Sequence, residues 1–395
     1  MPVDLNTLPA SIPLPEPLSM KRWVLIMLLC ASLGGGLTVV LWSEKRWDFS
    51  AWFWCCAVLL PSLFGLMLFA IRQLIHEQRV DYAERWNDRR NQHERRMIEH
   101  GQRAIALLGA SYEYEAGCTQ LAKTLSEGLL HSPVADDETE SKQPPRMHDR
   151  QCPDQKIAVA QRLSSCFEQL LASLDADLQK TVTQSSLQVR ISHDGMLGAD
   201  EIEELWRSCR GDVTVEDDVV FAADNDGLLW LDEWLDTAWP AGPLISLQIN
   251  LLPAAVVGHA ECVSFLLLAP AQWCVETGAK VQAWVHRPVK LSDDIADIQR
   301  ALFWGNVPPD SPDFFIWHSQ LPEGRIAHLS LELHAAGQSP ASGDWHAVDD
   351  SLGSTGVAVG HTTLIIASEQ AVTQGRPQLI LLHEHSMQAC VVQPA

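Results

Sequence analysis

The chain lacks any C-x-x-C pair, in which two residues separate two cysteines, although it contains ten cysteines in 395 residues. Cysteines at that spacing form zinc sites and thiol redox motifs, so neither is predicted, and we expect no cofactor and no metal-binding residue. Scattered, unpaired cysteines are typical of a reducing compartment. The sequence also lacks an internal repeat of about 20–50 residues, which argues against solenoid and propeller folds.

Basic residues are scarce in the second part of the chain. The formal charge is −22, and residues 1–115 hold 12 acidic and 12 basic residues. The remaining 280 residues, with 38 acids and 16 bases, therefore supply the whole charge. A domain this acidic repels phosphate backbones, so we expect no nucleic-acid partner. The charge either keeps the domain soluble or presents a negative surface to a basic partner.

Two long uncharged segments predict a membrane anchor. Residues 23–42 and 51–71 form runs of 20 and 21 residues, each long enough to span about 30 Å of hydrocarbon. Tryptophans near their ends are typical of a membrane interface. Residues 43–50 are too few to form a domain, so the two segments are predicted to form a helical hairpin. A signal peptide is not indicated, because the first segment lacks a small-residue cleavage site.

Basic residues set the expected orientation of this hairpin. Lys21 and Arg22 precede the first segment, and eight arginines follow the second within residues 72–103. The positive-inside rule places both chain ends in the cytoplasm, at a bacterial inner membrane. The predicted organisation is a cytoplasmic tail (1–22), the hairpin (23–72), a charged helical stalk (73–103) and a cytoplasmic α/β domain (104–395) with a flexible insertion (131–155).

Short apolar runs alternate with helix-like segments after residue 104, which predicts an α/β fold with buried sheets. The expected strands cover residues 105–108, 187–191, 244–251, 263–268, 281–286, 314–317, 379–382 and 389–392. The expected helices cover residues 121–130, 157–178, 198–209, 293–302 and 355–371.

Residues 349–361 read DDSLGSTGVAVGH and lead into the last predicted helix and the closing pair of strands. In this order the segment resembles the C-terminal end of the thiolase and β-ketoacyl-synthase fold, and the resemblance covers about the last 110 residues. It implies that the helix packs within a five-layered core. The alternative is that the small residues serve only to allow tight packing between a helix and a strand.

The same region departs from active condensing enzymes, which need a nucleophilic cysteine at a strand-to-helix turn and histidines or a second cysteine to move protons. In the register that matches the small residues, Gly353-Ser354-Thr355 stands where the family has Gly-His-Thr. Gly360-His361-Thr362 spells the triplet, but bulky residues follow it. Cys209 is expected in an amphipathic helix and Cys390 in a strand. We therefore expect a degenerate, non-catalytic domain with no catalytic residue.

Two further patterns concern metal binding. Residues 222–233 resemble a calcium loop, but Ala222 stands at the first ligand position, so a turn followed by a helix is the better prediction. His383-Glu384-His385 would place both histidines on one face of a strand. No third ligand is identifiable, so a solvated strand end is predicted there.

The anchor and the stalk motif Ala83-Glu84-Arg85-Trp86 also resemble those of two-span membrane proteins encoded in type VI secretion gene clusters. This resemblance implies an accessory or adaptor protein that recruits or stabilises partners, with a secretion-apparatus component or an effector as the partner. Two alternatives stay open. One is an acyl-transfer enzyme with a thiolase-like fold, and the other is a self-assembling membrane scaffold, which would be a homo-oligomer.

Overall fold

A computed structural model describes most of the chain. The described residues are 3, 5–42, 51–114, 120–126, 155–172, 187–210, 215–222, 226–237, 242–252, 258–292, 294–308, 313–338, 340 and 342–395. The chain divides into two compact units. The anchor unit is Asp4–Met97, and the globular unit is Ile98–Ala395 together with Met1–Val3.

Two helices dominate the anchor unit, α1 (Met20–Leu41) and α2 (Ala51–Gly101), whose last residues belong to the globular unit. By length and composition, both can cross a membrane. Large apolar side chains such as Leu25 and Phe64 lie exposed on them, as expected of helices that face lipid. A π-helical turn at Cys55–Leu59 precedes Pro61, which lacks a backbone donor and disturbs the regular helical pattern.

Small residues allow α1 and α2 to pack closely. A Cβ at Gly34 would clash with the side chain of Pro61, and one at Gly65 would lie 3.4 Å from Met27 Cα. Later residues of α1 thus meet earlier residues of α2, so the two helices run antiparallel. This is the predicted hairpin, packed through glycines as in many membrane helix pairs.

The N-terminal segment lies along the polar part of α2. Asn87 donates from Nδ2 to the Ile12 carbonyl at 2.9 Å, and its Oδ1 accepts from the Ile12 N–H at 3.0 Å. Trp86 Nε1 donates to the Ala10 carbonyl at 3.2 Å. The segment before α1 therefore contacts the segment after the apolar part of α2, so both flanks of the hairpin leave it at the same end.

The described part of the globular unit contains one mixed sheet of eleven strands. They are β1 (Ala104–Tyr114), β2 (Leu187–His193), β3 (Val215–Phe221), β4 (Leu244–Asn250), β5 (Cys262–Pro270), β6 (Ala283–His286), β7 (Val289–Lys290), β8 (Phe315–Ser319), β9 (Trp345–Ala347), β10 (Gln378–His383) and β11 (Met387–Pro394). Their order in the sheet is β3-β2-β4-β5-β1-β6-β11-β10-β8-β9, and β7 pairs with β11.

Helices cover both faces of this sheet. They are α3 (Leu121–Ser126), α4 (Gln155–Ala172), α5 (Ala199–Cys209), α6 (Trp230–Asp236), α7 (Ala271–Thr277), α8 (Ile295–Trp304), α9 (Arg325–Ala335), α10 (Asp349–Leu352) and α11 (Val359–Gln374).

The sheet contains one strand pattern twice. In the first half, residues 187–270, β2 pairs in parallel with β3 and β4, and β4 pairs antiparallel with β5. In the second half, residues 315–394, β8 pairs in parallel with β9 and β10, and β10 pairs antiparallel with β11. Helices α6 and α11 hold equivalent places, because each precedes the first strand of the antiparallel pair. Strands β1 and β6 join the halves.

Helix α11 is buried on all sides, with 12 of its 16 residues buried. Leu364, Ile365 and Ile366 belong to a core that includes strands of both halves. A second core covers the other face of the first half, where α4 and α5 meet through Phe167 and Trp206. The buried polar side chains of α11 include Thr362 and Thr363, whose hydroxyls donate to the Ala358 and Val359 carbonyls, so these groups can lie in the core without losing their hydrogen bonds.

The predicted α/β fold is confirmed, and each predicted strand and helix of the domain overlaps an observed one. The expected insertion at 131–155 lies outside the described residues except for Gln155, which begins α4. The expected boundaries of the tail, hairpin, stalk and domain stay predictions. The two histidines at 383–385 do not share a strand face, because β10 ends at His383 and a turn precedes β11.

Candidate functional site

Helices α6 and α11 begin next to each other in the middle of the globular unit. Gly227 precedes α6, and a Cβ at Gly360, in the first turn of α11, would lie 2.7 Å from the Gly227 carbonyl oxygen. Gly227 has a φ of +55°, in the left-handed region that favours glycine. Glycine at both positions therefore lets the beginnings of the two helices touch.

The turn between β10 and β11 reaches the start of α6. Glu384 Oε2 accepts a hydrogen bond from the Gly227 N–H at 2.6 Å, and Gln388 Oε1 accepts one from the Leu228 N–H at 2.8 Å. Gln388 Nε2 donates to the Asp226 carbonyl at 3.0 Å. A carboxylate and an amide of the second half thus hold two backbone donors of the first half.

An acid and a cation lie together at this point. Burial raises the pKa of Glu384 to about 7; the Gly227 hydrogen bond opposes this shift, Asp226 adds to it, and Arg190 opposes it. Burial lowers the pKa of Arg190 to about 10, against the attraction of Glu384 and Asp226. The Arg190 guanidinium lies 4.3 Å from the centre of the Trp230 ring, a cation–π contact. We call Arg190, Asp226, Trp230, Glu384 and Gln388 the α6-start cluster.

The start of α11 is held in an equivalent way by Gly258 and Ala260, which precede β5. The Ser354 N–H donates to the Gly258 carbonyl at 2.7 Å, and the Ala260 N–H donates to the Ser354 carbonyl at 2.9 Å. Residues that lie between the antiparallel strands of each half therefore hold the residues that precede the equivalent helix of the other half. Ser354, in the register where the family has histidine, is fixed here through its backbone.

His361 lies inside α11 and is fully buried. Its Nε2 lies 2.9 Å from Ser246 Oγ and its Nδ1 lies 3.2 Å from Ser264 Oγ, while its backbone N–H donates to Gln248 Oε1 at 3.0 Å. Burial, followed by the nearby Arg190, lowers the pKa of His361 well below its usual value, so the ring is neutral. His361, the histidine of the Gly-His-Thr triplet at 360–362, thus connects α11 to β4 and β5 through hydrogen bonds.

The described cysteines of the globular unit include several with raised pKa values. Burial raises the pKa of Cys262 and Cys274 to about 11 and that of Cys390 to about 12. As predicted, Cys390 lies in β11 and Cys209 ends the helix α5. The segment between β3 and α6, residues 222–229, has no cysteine in its sequence.

Metal binding finds no support in the part of the chain that the structure describes, where no three His, Cys, Asp or Glu side chains are grouped to hold an ion. The calcium-like segment is a turn at Gly227–Leu229 followed by α6, as predicted. Asp224, one of its candidate ligands, lies outside the described residues.

Solved structures with a similar architecture include ketosynthases. The ketosynthase domain KS8 of OzmH, from the oxazolomycin system of Streptomyces albus JA3453, has a TM-score of 0.50 and 17% identity, over 74% of this chain and 96% of that one. The ketosynthase of module 1 of the Bacillus amyloliquefaciens FZB42 bacillaene synthase has a TM-score of 0.51 and 9% identity, over 75% of this chain and 77% of that one. The AntDE:AntF complex, a type II PKS acyl-carrier protein with its ketosynthase, has a TM-score of 0.51 and 9% identity, over 74% of this chain and 99% of that one.

The fold is thiolase-like. At these identities the similarity establishes the fold, and the predicted thiolase-like architecture is confirmed. No family model and no curated protein matches the sequence.

The expected non-catalytic adaptor, a degenerate pseudoenzyme, is contradicted by these similarities. The matching thiolase-like structures are ketosynthases, which are enzymes, and the acyl-transfer alternative fits them better. The prediction of a non-catalytic domain rests on one missing histidine and one missing cysteine, and such local absences do not decide the class of the fold. Glu384, a titratable group, accepts a hydrogen bond from the Gly227 N–H close to the starts of α6 and α11.

Sequence reasoning missed both Glu384 and Arg190. At residues 383–385 the sequence pattern indicates the two histidines as candidate ligands, but the carboxylate of Glu384 between them is the side chain that contacts Gly227. Arg190 lies in a predicted strand as the one charged residue among apolar neighbours, and that buried charge was the available signal.

Proposed function

We propose that this chain is a membrane-anchored enzyme that transfers acyl groups from thioesters, with Glu384 as its general base. The observation that carries the proposal is the half-buried Glu384 carboxylate, with a pKa of about 7, which accepts a hydrogen bond from the Gly227 N–H just before α6 in a thiolase-like fold. A general base is most effective when its pKa lies near the pH at which the enzyme works.

Direct transfer between two bound substrates agrees with the cysteines described above. Glu384 takes a proton from the acyl acceptor while the acceptor forms a bond to the thioester carbonyl carbon. The carbon–sulfur bond then breaks and the thiolate leaves. The proton passes from Glu384 to that thiolate, which restores the ionised carboxylate. This route needs no covalent acyl-enzyme, and burial keeps the Cys262 and Cys390 thiols protonated.

An acyl-carrier protein is the proposed acyl donor, because one of the similar structures is a ketosynthase in complex with such a carrier. A coenzyme A thioester is the alternative donor. Homo-oligomer formation stays a prediction. So does the link to type VI secretion clusters, on which the proposed activity does not depend.

Replacing Glu384 by glutamine tests the proposal. The full chain in detergent is given acyl thioesters of coenzyme A and of a carrier protein with candidate acceptors, and thiol release is followed. We expect Glu384→Gln to lower the rate about 100-fold or more, because a general base contributes about 10²–10⁴-fold. The wild-type rate should rise with pH through about 7, since only the ionised carboxylate accepts a proton.

Glu276→Gln provides the matched control, because Glu276 lies exposed on α7 and its loss should leave the rate unchanged. Stability separates a catalytic from a structural role. The folded-state pKa of Glu384 is raised, so its stabilising contribution is present at low pH and is lost as the pH rises through about 7. Glu384→Gln should therefore be at least as stable as the wild type at pH 8. An inactive wild type, or an active Glu384→Gln variant, would refute the proposed function.

We also propose that both chain ends and the globular unit lie on the cytoplasmic side. Support comes from the antiparallel helices, the contact of Asn87 with Ile12, and the basic residues that flank the hairpin. Fluorescent-protein fusions at either chain end should fluoresce in bacterial cells, and a phosphatase inserted within residues 43–50 should be active. Phosphatase activity at a chain end would contradict this orientation.

A further inference from the structure

Two side-chain donors of the α6-start cluster lack an acceptor in the described structure. Arg190 Nη1 and Trp230 Nε1 are both buried from solvent, and neither has a hydrogen-bond partner among the described residues. Trp230 as a whole is only 9% exposed. Buried donors of this kind are rare in folded proteins, because losing water without gaining a partner costs free energy.

These two donors belong to one local structure. Arg190 extends from β2 and its guanidinium lies over the Trp230 ring at the beginning of α6. A guanidinium presents its N–H groups in a planar fork that matches the two oxygens of a carboxylate or phosphate. We propose that Arg190 and Trp230 bind an oxyanion, the carboxylate or phosphate of a ligand that enters beside Glu384.

The charges around this site decide when the oxyanion binds. Asp226 faces it from the turn before α6, Glu384 from the turn before β11, and His361 from α11. His361 is neutral, and the Glu384 pKa of about 7 lets this carboxyl take up a proton when a second anion arrives. Protonation of Glu384 removes one negative charge from the site, which leaves Asp226 as the remaining carboxylate beside Arg190 and the oxyanion. Binding should therefore be coupled to proton uptake and should weaken above pH 7.

The oxyanion has two possible sources. A carboxylate would belong to the acyl substrate, which would then be a carboxyacyl thioester, whereas a phosphate would belong to the carrier of the acyl group. Either assignment rests on the proposed function and names its substrate more closely. The site itself requires only an oxyanion next to Arg190, so binding is measurable without turnover.

Titration of the full chain in detergent with succinate and with inorganic phosphate tests this inference. Calorimetry and tryptophan fluorescence give the dissociation constant, and the neutral diamide of succinate serves as the uncharged control. We expect saturable binding of at least one anion and none of the diamide. Binding of succinate but not phosphate assigns the site to an acyl carboxylate, and the reverse assigns it to a carrier phosphate.

Three variants locate the site. Arg190→Gln should weaken binding about tenfold or more, because a charged hydrogen bond is lost. Trp230→Phe keeps an aromatic ring under the guanidinium but removes the indole donor, so it should weaken binding by a smaller factor. Arg207→Gln, on the exposed surface of α5, should bind as the wild type does.

Glu384→Gln separates this site from the proposed chemistry. This variant should still bind the anion, but its affinity should no longer change with pH near 7. Both results are expected even if the wild type transfers no acyl group. The inference is overturned if neither anion binds the wild type, or if Arg190→Gln and Trp230→Phe both bind as tightly as the wild type. If Arg190→Gln does not fold, the affinity of Trp230→Phe for the anion tests the inference instead.

Discussion

Replacing Arg287 by methionine is expected to destabilise the globular unit by about 3–5 kcal/mol, the usual cost of leaving buried charges without their partner. Arg287 is 3% exposed, and its guanidinium donates to Asp232 and, at 2.8 and 3.1 Å, to both carboxylate oxygens of Asp236. Burial lowers the pKa of Arg287, but hydrogen bonds to Asp236 and Asp232 outweigh it and raise that pKa overall. Urea titration of the full chain in detergent gives the free energy of unfolding.

Acid should relieve this loss of stability. Burial raises the pKa of Asp232 although Arg287 opposes the shift, so without Arg287 this carboxyl takes up a proton more readily. The Arg287→Met variant should therefore lie closer to the wild type at pH 5 than at pH 8. Adding Asp232→Asn and Asp236→Asn to it should recover part of the stability. Arg207→Met removes an exposed ion pair and should cost about 0–1 kcal/mol. Equal losses for Arg207→Met and Arg287→Met would contradict the prediction.

This ion-pair cluster also connects the candidate site to the end of α2. Asp232 and Asp236 both lie on α6, whose first residue is Trp230. His100, in the last turn of α2, lies 3.0 Å from Asp236 through its Nε2. Arg287, in the β6–β7 connection, therefore forms ion pairs with α6, and the Asp236 carboxylate also contacts His100, which lies in the part of α2 that belongs to the globular unit. A loss of Arg287 should for this reason lower the Glu384-dependent rate as well.

The elements of the fold could be predicted from the sequence because their signals are local. The run of apolar residues at 263–268 and the glycines before α11 lie within a few positions of the structures they form. The doubled strand pattern could not be predicted in this way. Its two halves share strand order and direction, which depend on contacts across the sheet, whereas the sequence shows no repeat of side chains.

The candidate site could not be predicted from local patterns either, because its residues lie far from one another in the sequence. Glu384 and Gly227 are separated by 157 positions, and Gln388 and Leu228 by 160. No spacing rule connects such residues. The resemblance to condensing enzymes predicts the fold correctly, but the histidine position that it implies falls at Ser354 or His361. One of these is fixed through its backbone and the other is a buried structural residue.

Gly360→Ala gives the most direct test of the contact between the two helix starts. In an ordinary helix this change is favourable by about 1 kcal/mol, because alanine is the better helix former. Here the new Cβ would lie 2.7 Å from the carbonyl oxygen and 2.9 Å from the carbonyl carbon of Gly227, and backbone atoms cannot rotate away. We expect a loss of about 3 kcal/mol, the upper range for overpacking a core.

The outcome of Gly360→Ala also bears on the chemistry. If the variant folds, Gly227 must shift away from α11, and its N–H holds the Glu384 carboxylate. The Glu384-dependent rate should fall and its pH profile should move, because the hydrogen bond from Gly227 lowers the pKa of Glu384. Gly343→Ala is the matched control, since a Cβ there meets no atom within 4 Å. If Gly360→Ala were as stable and as active as Gly343→Ala, then α6 and α11 would not begin in contact and Glu384 would not be positioned by Gly227.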